Sequence, residues 1–182
     1  GSDLLFYYFS GTYISICPIT SFIFGNEVEH IPARLCYGLD KLTSIVVETG
    51  NTTYDSRDNC NAIIETATNT LVIGCKNTII PNSVTSIGED AFYTCTSLTS
   101  ITIPESVTTI EHYAFEYCTS LQSITIPENV TSIGGGAFLF CSSLNSVVWN
   151  AKNCVIDGAM LFGLAAVMSV VPVKAFFYRP EK

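Results

Sequence analysis

Eight cysteines, two histidines and one cluster of side-chain oxygens are the places where this sequence could do chemistry. Cys95, Cys118 and Cys141 fall 23 residues apart, a spacing that stacks three thiols in one column. Such a column could bind metal or form disulfides. Among the neighbouring Phe and Ile it reads instead as packing, because cysteine is one of the most buried residue types. Zinc sites ask for a tight C-x-x-C or Cys/His pairing, which this chain lacks. Cys60 and Cys75 flank "NAIIETATNTLVIG", which alternates like a hairpin with its turn near Ala67–Asn69. The two would face each other across it, as a disulfide or, by default, as two thiols. Cys17, Cys36 and Cys154 have no evident partner.

The remaining candidates are weaker. A catalytic histidine needs a nucleophile or metal and an orienting acid. His112 occupies a variable turn position, and His30 lies just before Ile31; both read as exposed. Asp55, Asp58 and Asn59 in "YDSRDNCN" offer oxygens of the kind calcium takes, but not at the spacing of an EF-hand loop. That stretch reads as a polar turn leading into the hairpin. "GGGAF" at Gly134–Phe138 is a lone glycine run at a turn. No nucleophile elbow, zincin helix or nucleotide-binding loop occurs. Asn51 and Asn129 head glycosylation sequons, which matter only in a eukaryotic secretory pathway. Catalytic residues, cofactors and metals are therefore all expected to be none.

The bulk properties point the same way. The chain has 182 residues, 48% hydrophobic and 13% charged, enough for one domain with a sizeable core. Net charge is −8, and between Asn77 and Ala151 there are six acids and no Lys or Arg. Phosphate neutralisation requires clustered basic residues, so nucleic acid is excluded as an expected partner. Anionic membrane surfaces are disfavoured for the same reason. No signal peptide is legible, since "LLFYYFSG" lacks a charged flank and a cleavage site.

The elements that must carry these residues are set by a repeat. Ile80–Thr102, Ile103–Thr125 and Ile126–Val148 align without a gap at a period of 23, and Phe24–Val46 keeps the frame with weaker identity. Between them lies a 33-residue unit, Val47–Ile79. Each unit carries L-x-x-I-x-I, as in Leu98/Ile101/Ile103 and Leu121/Ile124/Ile126, which favours a short strand. A second apolar set follows, such as Val107/Ile110/Ala114/Phe115/Cys118. One 23-residue unit cannot bury both sets, but stacked units can. The expected fold is a β-rich solenoid of five or six coils, with parallel strands about 4.8 Å apart. Pro81, Pro104 and Pro127 end the strand, and "IGEDAF" suits a tight turn with a short helical or 3₁₀ turn. The long unit 47–79 carries the β-hairpin.

The phrase "IPxSVTxIxxxAFxxCxSLxSIT" resembles the BspA-like leucine-rich repeat, found in surface and secreted proteins of bacteria and of some protozoan parasites. The resemblance covers residues 19–157 and includes the inserted unit from Tyr54 and "VVWNAKNC". It implies a leucine-rich-repeat solenoid without enzymatic activity. It further implies a cell-surface or secreted location, and protein partners such as host extracellular matrix or other surface proteins. Residues 1–18 and 158–182 depart from the phrase. They are expected to be an N-terminal cap or degenerate coil and a C-terminal cap of a single domain, 1–182. An anchor reading of Gly158–Val173 falls short of the roughly 20 apolar residues a spanning helix needs.

Binding would then live on residues between the buried positions. Ser44, Thr99, Ser100, Thr102, Gln122, Ser123, Thr125, Asn145 and Ser146 form a small, polar, hydroxyl-rich strip on the sheet. Tyr93, Tyr113, Tyr117 and Phe140, on the turns, form a rival surface or are partly buried. Two readings follow: a protein-binding or adhesion module, or a structural spacer without its own ligand.

Overall fold

A computed structural model describes residues 17–157, 161–162 and 174–175. The expected caps lie mostly outside the described residues. The strands are β1 (Ser21–Phe24), β2 (Ser44–Val47), β3 (Tyr54–Asp55), β4 (Ala62–Glu65), β5 (Thr70–Gly74), β6 (Ser86–Ile87), β7 (Thr109–Ile110), β8 (Ser123–Ile126), β9 (Ser132–Gly134), β10 (Ser146–Trp149), β11 (Val155–Asp157) and β12 (Lys174–Ala175). They stack as the coils of a solenoid. The L-x-x-I-x-I register supplies β1 and β2, paired in parallel, and β8 and β10; β12, outside the repeat phrase, adds to the second pair in the order β12-β10-β8. A seven-stranded sheet, β11-β9-β7-β6-β5-β4-β3, runs along a second side of the coil.

That second sheet uses "VTSI", read from sequence only as an apolar set. Its strands β6, β7 and β9 are two or three residues long, too short to display an alternation. They are held by the consensus threonine. Thr108 N–H and hydroxyl both donate to Thr85 O, at 2.9 and 3.3 Å, and Thr131 repeats this on Thr108 O at 2.8 and 3.2 Å.

The turns differ in detail from a regular 3₁₀ run. Tyr113 O accepts from Glu116 N–H, Phe115 O from Cys118 N–H and Cys118 O from Leu121 N–H, a chain of i→i+3 turns. Left-handed residues interrupt helical continuation at Asp90 and Thr94, at Tyr113 and Tyr117, and at Gly136 and Phe140. A short 3₁₀-like turn occurs at Arg57–Asn59, itself broken by left-handed Asp58 and Asn59. These turns bond forward, as Phe92 N–H to Ala114 O and Phe115 N–H to Ala137 O, whereas the sheets bond back to the preceding coil.

The core runs up the stack. Phe92, Phe115 and Phe138 are buried and stack at 4.9 and 5.3 Å with nearly parallel rings. Such ring pairs add to simple area burial. Columns of Val84/Val107/Val130 and Ile87/Ile110/Ile133 fill the space beside them.

The long coil is where the stack changes. β4 and β5 form the expected antiparallel hairpin across residues 66–69. Both of its faces are buried. Ala62, Ile64 and Leu71 join the core of the later coils, while Ile63 and Ile73 join a separate core with Leu42, Ile45 and Val47. The hairpin is a partition between two cores. It also replaces the long coil's own turn, so the turn at Arg34–Asp40 packs directly on the turn at Asp90–Thr96, 56 residues further on. Residues 75–78 likewise make a turn rather than a strand, with Thr78 N–H donating to Cys75 O at 3.0 Å. Residues 98–103 therefore lack a regular neighbour on one side and form no ladder strand, although Gln122 N–H reaches Thr99 O at 3.2 Å.

Candidate binding surfaces

The polar strip is assembled from three consecutive coils. Thr99, Ser100 and Thr102 lie on the irregular segment, Gln122, Ser123 and Thr125 at β8, and Asn145 and Ser146 at β10. Ser123 stands opposite Ser146 in the register, and Thr125 opposite Val148. All but Ser146 are exposed. Ser44 is separated from them. It pairs with Ser21 in the two-stranded β1-β2 sheet, on the other side of the interruption made by the long coil. Ile23, Val46 and Val148 are exposed apolar residues on the same two sheets.

Hydroxyls of the strip and of the seven-stranded sheet are used differently. On the seven-stranded sheet, Thr85, Thr108 and Thr131 each donate to a backbone carbonyl of the preceding segment: Thr68 O, Thr85 O and Thr108 O. Among the described residues, none of the side chains of the polar strip is spent on an internal hydrogen bond. Thr43, next to Ser44 on the β1-β2 sheet, makes the same bond to Thr20 O at 3.0 Å, so the open side chains are those of the strip itself and not of every coil on that face.

The thiols belong to the core. Cys118 Sγ–H donates to Phe92 O at 3.2 Å and Cys141 Sγ–H to Phe115 O at 3.1 Å. All eight cysteines are free. Cys60 and Cys75 are close, since Cys75 Sγ reaches Asn61 O at 3.5 Å, yet they serve different cores. Burial pushes the Cys95 and Cys141 thiols up to about 12, which makes them poor nucleophiles. Cys36, Cys75 and Cys95 line a cleft between the two stacked turns, together with Arg34, Asp40, Asp90 and Tyr93. It holds about 20 Å³ of water-sized space, room for a single water and not for a metabolite. No group of three His, Cys, Asp or Glu among the described residues is placed to hold a metal.

The polar turn before the hairpin has a structural use. Arg57 pairs with Asp55 at 2.7 Å and its Nη1 donates to Asn69 Oδ1 at 2.8 Å, tying the turn to the hairpin tip. Asn51 is also consumed: Nδ2 donates to Gly25 O and Val28 O, and Oδ1 accepts from Thr53 and Tyr54 N–H. Asn129 is exposed, with Nδ2 on Glu105 O. His112 is 43% exposed at its side chain, with Nε2 3.9 Å from Asp157.

A second surface runs along the turns. Tyr37 stacks on Tyr93 at 5.8 Å, Tyr93 meets Tyr117 edge-on at 6.1 Å, and Tyr117 stacks on Phe140 at 4.6 Å. Tyr37, Tyr117 and Phe140 are exposed, while Tyr93 and Tyr113 are half-buried. Arg34 lies 4.2 Å over the Tyr93 ring and donates from Nε to Asp90 at 3.0 Å. Sequence reading names the aromatic residues but not Arg34 or Asp90. The signal available was their shared position in the repeat frame, once the long coil is seen to contribute no turn of its own.

Residues 63–170 match a family model described as BspA type leucine rich repeat region, in six copies. The chain is similar to a solved leucine-rich repeat protein from Eubacterium ventriosum, at 26% identity and a TM-score of 0.61, over 73% of this chain and 37% of that one. It is also similar in fold to a leucine rich cell surface protein from Faecalibacterium prausnitzii, at 24% identity and a TM-score of 0.51, over 78% of this chain and 48% of that one. The chain thus spans less than half the length of either. No curated protein matches it.

Proposed function

The chain belongs to the BspA-type leucine-rich repeat family, and on that footing we propose that it is a non-enzymatic protein-binding module of a cell-surface or secreted protein. Repeats of this kind expose extended faces to partners. The observation that carries the reading is the difference between the strip and the seven-stranded sheet. Thr85, Thr108 and Thr131 spend their hydroxyls on the neighbouring coil, whereas the hydroxyls of Thr99, Ser100, Thr102, Ser123, Thr125 and Ser146 and the amides of Gln122 and Asn145 stay open to solvent or a partner. We assign the binding face to that strip, with Ser44 on a separate patch. The surface location draws on the Faecalibacterium relative, itself described as a cell surface protein. Host extracellular matrix proteins are the proposed partner class.

The test is a binding screen against immobilised matrix proteins and fibrinogen, with the Ser100→Arg/Ser123→Arg double variant alongside. Two guanidinium groups at exposed positions, Ser100 on the irregular segment and Ser123 on β8, should abolish a saturable signal while the melting profile stays unchanged. A hit that survives the double variant removes the strip from the site. Absence of any hit at high micromolar protein favours a spacer without its own ligand.

A further inference from the structure

The turn surface carries a charge imbalance that the fold does not resolve. Asp90 and Glu116 lie on consecutive coils; burial pushes the Glu116 carboxyl up, Arg34 pulls it down, and Asp90 adds a smaller upward push. Glu116 is only 8% exposed, and among the described residues its carboxylate accepts no hydrogen bond, its oxygens keeping some contact with solvent. The Asp90 side chain is 7% exposed, and its Oδ1 is buried without a hydrogen-bond partner, Oδ2 alone being engaged by Arg34. A buried polar atom left unsatisfied costs about 1–3 kcal/mol and calls for an explanation. The stretch from Asn77 to Ala151 contains no Lys or Arg to supply a counter-charge. Among the described residues, Arg34, from the coil before the hairpin, is the cation that reaches this surface.

The rings beside these acids are held at a cost. Tyr117 and Phe140 sit at φ 59, in the left-handed region that glycine occupies most easily. The first turn uses Gly38, at φ 73, in the matching position. A non-glycine residue there is strained, and Thr94 holds the matching position of its own turn at φ 55, so the strain recurs in the turn repeat. The surface also shows how it holds a cation. The Arg34 guanidinium lies over the Tyr93 ring and bonds Asp90. One coil further on, Glu116 also feels the Arg34 guanidinium, while the Tyr117 ring, stacked on Phe140 at 4.6 Å, carries no cation of its own among the described residues.

We propose that the Tyr37–Tyr93–Tyr117–Phe140 rings, with the negative charge of Asp90 and Glu116 beneath them, form a docking surface for a protein segment carrying arginine or lysine. Arginine over a tyrosine ring and beside a carboxylate is a recurrent centre of protein interfaces. The net charge of −8 favours such a partner at long range. The inference rests on the protein-binding reading but not on the polar strip.

Calorimetric titration with a hexa-arginine peptide at low ionic strength tests it. Glu116→Gln and Tyr117→Gly should each weaken binding about fivefold, the worth of one cation–π or buried-charge contact of about 1 kcal/mol. Glu105→Gln, which removes one exposed acid from the same coil stack, should change it less than about twofold, as screened surface charges do. Tyr117→Gly relaxes a left-handed residue, so it keeps the test valid if Glu116→Gln perturbs folding. Equal weakening by Glu116→Gln and Glu105→Gln would reveal attraction by overall charge alone and overturn the proposal. Absence of saturable binding would overturn it too. In either case the protein-binding reading would stand or fall separately, on the matrix screen and its serine double variant.

Discussion

A thiol in this stack is both a filler and a donor. Cys118 and Cys141 pack beside the phenylalanine column and donate to Phe92 O and Phe115 O, carbonyls 26 residues earlier. Burial is the main cause that lifts the thiols, Cys36, Cys95 and Cys141 to about 12 and Cys60 to about 11, from an ordinary value of 9.0. Between those values the unfolded chain releases protons that the folded chain keeps. Stability is therefore fully present below pH 9 and falls as pH rises towards 12. Urea midpoints should hold from pH 7 to 8 and drop progressively above 9, with a smaller drop in Cys118→Ser/Cys141→Ser. A midpoint that does not move between pH 8 and 10 would contradict this. The packing role of these cysteines was legible from their period of 23. The carbonyls they bond were not, because the offset of one coil plus three residues depends on how the turns stagger.

Among elements, the hairpin was legible and the second sheet was not. "NAIIETATNTLVIG" alternates long enough to declare two strands, and the flanking unit length marks it as an insertion. That its two faces serve two cores was hidden, since alternation of one apolar residue with another looks continuous. The strands β6, β7 and β9 are defined by backbone spacing to the next coil more than by side chains. Gly134, at the end of β9, shows this: a Cβ there would stand 2.3 Å from His112 N and 2.7 Å from Glu111 C. Both are backbone atoms of the preceding coil and cannot rotate away. Gly134→Ala should cost about 1–3 kcal/mol or more, read as a lowered denaturant midpoint. Gly88→Ala, whose Cβ would meet Leu71 O at 3.0 Å, should cost less. The reverse order would mean that the coils can part without penalty. The open polar strip was legible as a list of outward positions, but the break that isolates Ser44 was not, because the sequence does not show which sheet the long coil abandons.

The whole molecule is two cores with a shared wall. Ile63 and Ile73 face the N-terminal core from the hairpin, and Ile64 and Leu71 face the later coils. Ile63→Ala should cost about 2–5 kcal/mol locally. By hydrogen exchange, amides of residues 21–47 should lose protection while those of 107–149 retain it, as expected when coils interact only with neighbours. A uniform loss across both would show one cooperative unit.

The hydrogen bonds between coils have a mechanical consequence. They lie along the axis of the stack, sheets bonding back to one coil and turns forward to the next. A load pulling the ends apart along that axis would strain these bonds lengthwise and release the chain one coil at a time. Each ordinary coil of 23 residues would pay out about 80 Å of extended chain, and the 33-residue coil about 115 Å. Under tension the protein would unspool in measured steps, its longest step marking the hairpin.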